Sequence, residues 1–164
     1  MGKATPSGSA VGLRIERDDV RRDDIVALLT EHMADMRAES PPESVHALDV
    51  EALAQPGIAF LTARTPDGDL LGCGALKELS PSAGELKSMR TAAAARGRGV
   101  GGAVLASLTE EGRRRGYSAL YLETGSQEFF APARRLYERA GFRETDPFGD
   151  YTLDPYSVYM VLAL

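Results

Sequence analysis

Ile25, Leu28, Leu29, Met33 and Met36, with His32 among them, recur at the i, i+3, i+4, i+7 spacing of one helical face. The pattern predicts a helix beginning near Asp18 or Asp19, either of which can cap it, after a short strand over residues 13–16. Ser40-Pro41-Pro42-Glu43 reads as a second helix start, with serine as cap, proline in the first turn and glutamate reaching back. That short helix is expected to end near Pro56-Gly57. Residues 58–64 and 70–79 are strand-like runs joined by Thr65-Pro66-Asp67-Gly68-Asp69, whose Asp-Gly marks a hairpin. A turn over 81–84 leads to a third strand over 85–91.

Beyond this meander a glycine-rich loop opens a helix over 100–115, with Val104, Leu105 and Leu108 on one face, followed by a strand over 119–123. Pro132 opens another helix, striped by Ala133, Leu136, Tyr137 and Ala140 and stopped by Gly141. A last strand covers 157–164. The order β α α β β β α β α β describes one mixed α/β layered domain over 13–164, with the small, polar stretch 1–12 as a flexible tail.

At 164 residues there is room for one proper core and not for two. The net charge of −5 lacks the basic excess of a phosphate-backbone binder, so no nucleic-acid partner is expected. One cysteine, Cys73, excludes an intrachain disulfide framework and fits a reducing, cytoplasmic setting; it lies in an apolar run and reads as a core thiol. No apolar run approaches the length that spans a bilayer, and the N-terminus lacks the apolar centre of a signal peptide, so no membrane association is expected. The two histidines, His32 and His46, lie far apart, and no metal site is expected.

The chemistry concentrates in Arg96-Gly97-Arg98-Gly99-Val100-Gly101-Gly102, set between a strand and a helix. Backbone N–H groups and the helix dipole converge there, glycines permit close approach, and Arg96 and Arg98 add positive charge, so the loop suits an anion such as a pyrophosphate. Gly97, Gly99 and Gly102 also satisfy G-x-G-x-x-G, with Glu123 ending the next strand. The dinucleotide motif, however, puts its first glycine at the strand end, whereas residues 91–95 intervene here.

Arg96-x-x-Gly99-x-Gly101 resembles the acetyl-CoA motif R/Q-x-x-G-x-G/A of the GNAT acetyltransferase superfamily. Glu85-Leu86-Lys87-Ser88-Met89-Arg90-Thr91 resembles its fourth strand, and Leu136-Tyr137-x-x-x-Gly141-Phe142 its L-Y-x-x-x-G-F signature. Residues 39–49 and 147–158 resemble a bacterial branch often labelled indole-acetate acetyltransferase. The resemblance covers 13–164 and implies a mixed, mostly antiparallel central sheet with helices on both faces. It also implies transfer of acetyl from acetyl-CoA to an amine acceptor by direct attack. Many relatives are dimers, so a homodimer is an expectation of the same kind.

An attacking amine must be neutral, which calls for a base near pH 7. Glu85, eleven residues before Arg96, is the first candidate by resemblance to the histone-type members; a solvated or lysine-paired carboxylate is the plainer reading. Glu123, ending its strand beside the cofactor slot, is the second. Tyr137 is placed by its motif to protonate the leaving thiolate, against packing on its helix stripe. The resemblance has Met89, Arg90 and Thr91 offering backbone groups to pantetheine and residues Arg96 to Gly102 holding the pyrophosphate. Phe130 stands where many relatives carry asparagine, so a polar contact to the cofactor or acceptor is either missing or supplied by Ser126 or Gln127. His46 and Ser44 fall in the loop that walls the acceptor site of such enzymes, while His32 reads as packing. The rival function is a non-catalytic CoA-binding or sensory module on the same fold.

Overall fold

The computed structural model describes residues 12–164, so the tail expected over 1–12 lies, except for Gly12, outside the described residues. Seven strands form one sheet in the order β1-β2-β3-β4-β5-β7-β6. They are β1 (Arg14–Arg17), β2 (Ala59–Arg64), β3 (Leu70–Ser80), β4 (Ala83–Thr91), β5 (Ala119–Gly125), β6 (Arg143–Thr145) and β7 (Ser157–Ala163). Every pairing is antiparallel except β4 with β5. The helices are α1 (Asp23–Glu39), α2 (Val50–Leu53), α3 (Val100–Arg114) and α4 (Ala131–Arg139).

Alternation along the strands sends residues to two cores. Leu76, Leu86, Leu120 and Leu122 pack with Val104, Leu105 and Leu108 of α3 and with Tyr137 of α4. On the other face Phe60, Cys73 and Ala75 pack with Ile25, Leu28 and Leu29 of α1. The sheet is thus covered on both sides, as the resemblance implied. Cys73 is buried, as its apolar run indicated.

Two expected helix caps, Asp18 and Ser40, fail for one reason, capture of the capping side chain by a distant partner, while Asp19 accepts locally from the Arg21 N–H at 2.9 Å. α1 starts at Asp23 rather than near Asp18, and its N-cap, Arg22, makes no side-chain cap bond. Asp18 instead accepts from Thr62 Oγ1 at 2.7 Å and from Arg64 Nε at 2.9 Å, forty-odd residues away. Ser40 caps nothing: its hydroxyl accepts from Gln127 Nε2 at 3.0 Å, and Pro42–Ser44 form only a 3-10 turn. The short helix begins later, at Val50, where Asp49 accepts from the Ala52 N–H at 2.8 Å. The three-residue edge strand β6 was not anticipated, being too short to show an alternating pattern.

Arg64 is fully buried and its charge is met by Asp18 and, at 2.6 Å, by Asp24. Burial alone would raise the Asp18 carboxyl, but hydrogen bonds from Thr62, Arg64 and Arg22 outweigh it and hold the pKa at about 2. A depressed carboxyl contributes stability above its unfolded pKa that is lost as pH falls through the folded one. Asp18→Asn should therefore cost about 3 kcal/mol at pH 7 in urea denaturation, since Arg64 keeps only one counter-ion, with the deficit shrinking toward pH 2. A cost below about 0.5 kcal/mol would show that Asp24 suffices.

Candidate active site

β4 and β5 pair only from Ala83 to Glu85, against Ala119 to Tyr121. Past that point the two strands share no further pairing. The cause lies in β4: between Cys73↔Arg90 and Ala75↔Lys87, two residues, Ser88 and Met89, oppose the single Gly74 of β3. Ser88 takes the extra residue's conformation at φ 55°, a left-handed value uncommon outside glycine. Such a bulge bends its strand, and a cleft of about 110 Å³ occupies the opening. Leu86 to Met89 of β4 and Leu122 to Gly125 of β5 form its sides. His32 and Met36 of α1, residues 44–47, Tyr156, and Phe130, Ala133 and Tyr137 complete it.

Glu123 reaches this cleft because strand alternation sends Leu120 and Leu122 into the α3-side core and Glu123 to the opposite face. Burial pushes its carboxyl up to about 7. The Ser157 hydroxyl and the Lys87 ammonium pull the other way, and the Glu85 and Asp154 carboxylates push with burial. Ser157 Oγ meets no partner at hydrogen-bond geometry, so its effect on Glu123 is one of proximity, not of a formed bond.

Glu85 has a different setting. It is 4% exposed, does not line the cleft, and accepts from Lys87 Nζ at 3.3 Å and from Tyr151 Oη at 2.5 Å. Lys87 Nζ also donates to His46 O at 3.0 Å and to Tyr151 Oη at 2.8 Å. Through these bonds Lys87 ties β4 to both loops over the site, and Ser44 Oγ ties those loops to each other by donating to Asp154 Oδ2 at 2.6 Å. Tyr151 further packs edge-on to His46 and against Phe148 and Tyr159.

Tyr137 is buried on α4 beneath Phe142 yet lines the cleft. No hydrogen bond among the described residues engages its hydroxyl, whose pKa is raised by burial and by the Glu123 charge. Glu123 and Tyr137 are thus brought to one cleft, and Glu85 lies behind one wall of it. Neither Ser126 nor Gln127, considered as substitutes at Phe130, lines the cleft: Ser126 Oγ donates to Pro155 O, and Gln127 gives Nε2 to Glu39 O and Ser40 Oγ while its Oε1 is buried with no partner. Phe130 itself packs over Gly125, where any side chain would collide with its ring.

The glycine-rich loop adjoins the same strand. Gly97 and Gly99 adopt φ 76° and 78°, which other residues rarely tolerate, and Gly99 is the N-cap of α3 with no side chain to close the helix end. The first N–H groups of α3 therefore have no intrahelical partner. Gly101 faces Leu136 of α4 and Thr91 of β4, and a Cβ there would come within 3.0 Å of Leu136. Arg90 is not free to bind an anion: its guanidinium meets Glu31 and Asp35 of α1, each at 2.7 Å. Among the described residues, no His, Cys, Asp and Glu cluster could hold a metal, and no helix is long and apolar enough to cross a membrane.

His32 was read as packing, but burial and the Arg90 charge depress its pKa to about 4, and its neutral ring forms part of the cleft wall. Helical periodicity alone could not distinguish a core face from a cleft face. Tyr151 and Ser157 were also missed, since only tertiary folding brings them to Glu85 and Glu123.

The architecture and motifs have counterparts among known proteins. Residues 25–142 match the family model described as Acetyltransferase (GNAT) family. The chain is 49% identical over 93% of its length to the whole of YsnE, an uncharacterized N-acetyltransferase of Bacillus subtilis. It is 39% identical over 89% of its length to 94% of an IAA acetyltransferase of Azospirillum brasilense. A crystal structure from Klebsiella pneumoniae, provisionally described as an acyl-CoA N-acyltransferase, superposes with a TM-score of 0.75 at 28% identity, covering 93% of this chain and 97% of that one.

Proposed function

The chain belongs to the acetyltransferase (GNAT) family, and from that premise we propose that it moves acetyl from acetyl-CoA directly to an amine in the β4/β5 cleft, with Glu123 as general base and Tyr137 as general acid. The observation that carries this reading is a buried carboxyl whose pKa is raised to about 7 in the same cleft as an unpartnered tyrosine hydroxyl. A base near the working pH combines a populated charged form with useful basicity. Acetyl-CoA supplies the activated acyl carbon and a thiolate leaving group. The residues present suit it: glycines in left-handed conformations leave the α3 N-terminus open to a pyrophosphate, and the unpaired stretch of β4 offers main-chain groups to an amide-bearing arm. Met89, Arg90 and Thr91 make that contact through backbone, and Arg96 to Gly102 hold the anion.

Glu123 removes the proton that an ammonium acceptor carries. The neutral nitrogen forms the new C–N bond, the C–S bond breaks and the Tyr137 hydroxyl proton goes to the sulfur; the second proton, shed by the nitrogen as the amide forms, restores the Tyr137 hydroxyl, and Glu123 returns its own proton to solvent. Glu85, held by Lys87 and Tyr151, acts on Glu123 at a distance and positions the wall. Cys73, the one thiol, does not line the cleft and is engaged with Ser88 O at 3.4 Å, so it is not placed to take the acetyl group, which accords with direct attack. The IAA name of the Azospirillum relative does not fit this chemistry, since indole-acetate has no aliphatic amine to acetylate.

Thiol release measured with a panel of amines, with the acetylated product identified by mass, tests the reading. One acetylated amine per thiol is expected; tight acetyl-CoA binding with no turnover on any amine would favour the non-catalytic module. Gly99→Val, which crowds the loop and strains a position at φ 78°, should weaken acetyl-CoA binding at least about tenfold in calorimetry on protein that still melts cooperatively. Unchanged affinity would place the anion elsewhere.

A further inference from the structure

We infer that the acceptor is a primary amine with an apolar body and no carboxylate near its nitrogen, an inference that rests on the acetyl-transfer reading above. The argument begins with donors. An ammonium has three N–H groups, and Lys87 has three acceptors in place: Glu85 Oε2, His46 O and Tyr151 Oη. Lys87 and its counter-ion Glu85 are both nearly buried, so the pair is neutralised where it stands. No N–H of Lys87 is left to receive a substrate carboxylate.

Among the described residues the other cations near the cleft are engaged as well: Arg134 gives Nη1 to the carbonyls of Gly125 and Gln127 at 2.7 and 2.9 Å. Arg90 lies behind it, held by Glu31 and Asp35. His32 is neutral. His46 stands edge-on to Tyr151, and any charge on it is opposed by Asp154, whose carboxyl its proximity helps to hold low. Facing them is Glu123. An acceptor entering here meets a negative field that favours an ammonium. A carboxylate on the adjacent carbon would lose its water beside Glu123 with no uncommitted cation among the described residues to replace it.

Apolar surface completes the selection. Met36, Val45, Ala47 and Phe130 line the cleft, so an apolar body attached to the amine meets apolar surface. The substrate class is therefore set by charge and apolar surface together: alkyl or arylalkyl amines enter, while amino acids are rejected although their amino group is the same.

Matched pairs test this directly. Initial rates of acetylation are compared for phenethylamine with phenylalanine, 3-methylbutylamine with leucine, and tryptamine with tryptophan, together with the methyl esters of the three amino acids. Each amine should exceed its amino acid in kcat/KM by about 100-fold or more, and each ester should recover most of that loss because the charge is gone. Amino acids acetylated as well as the amines would overturn the inference and leave the acetyl-transfer reading standing. Esters as poor as the acids would overturn it too, showing a steric and not an electrostatic barrier. If no compound of the set yields acetylated product while another amine of the wider panel does, the inference falls and the acetyl-transfer reading stands; no product from any amine, with acetyl-CoA bound, overturns both.

Discussion

Replacing Glu123 with glutamine should lower kcat about 100-fold or more while acetyl-CoA affinity holds within about twofold. The amide keeps the shape of the side chain and loses only the capacity to take a proton, and a general base typically contributes that much. The same substitution carries a stability signature of opposite sign. A carboxyl whose folded pKa is raised contributes stability below its unfolded pKa, and that contribution is lost as pH rises through the folded value, here about 7. Glu123→Gln escapes this loss. At pH 8 it should be more stable than the parent by about 1–3 kcal/mol in chemical denaturation, and at pH 4 the gain should vanish. A variant that is inactive and also less stable at pH 8 would show that the carboxylate holds the structure together.

Tyr137→Phe should reduce kcat by about 10- to 100-fold with little change in KM, the mark of an interaction made in the transition state. The ring packs against Phe142 and the hydroxyl has no partner among the described residues, so removing one oxygen should leave the melting temperature unchanged or raise it slightly. An acetyl thioester with a more acidic thiol should narrow the difference between the two enzymes, because a better leaving group needs less protonation. Wild-type turnover with a clearly lower melting temperature would make Tyr137 a core residue.

The parts of this molecule legible from sequence are those decided by neighbours along the chain. The Asp67-Gly68 turn, the proline that opens α4, Gly141 at φ 102° after it and the glycine N-cap of α3 all act within a few residues. Illegible were the residues whose partners lie far off. Asp18 is a good helix cap by type, but Thr62 and Arg64 claim it, and Gln127 claims Ser40 in the same way. The candidate site divides along the same line. Its glycine loop and its Tyr137 signature are contiguous in sequence, whereas the difference between Glu85 and Glu123 depends on Lys87 and Tyr151 engaging one carboxylate and leaving the other to be raised by burial. Resemblance singled out Glu85 and strand position singled out Glu123; the bulge at Ser88, which opens β4 from β5 beyond Glu85, and the alternation along β5 together put Glu123 at the opening.

The pH dependence of kcat/KM, compared among the parent, Glu123→Gln and Glu85→Gln with one amine acceptor, tests the assignment of the base most directly. The acceptor's own ionisation is common to all three enzymes and cancels in the comparison. The parent should lose activity below a midpoint near pH 7, matching the raised Glu123 carboxyl. Glu123→Gln should lose that acidic limb, and Glu85→Gln should retain it with a displaced midpoint. An acidic limb that survives in Glu123→Gln and disappears in Glu85→Gln would contradict the assignment and make Glu85 the base.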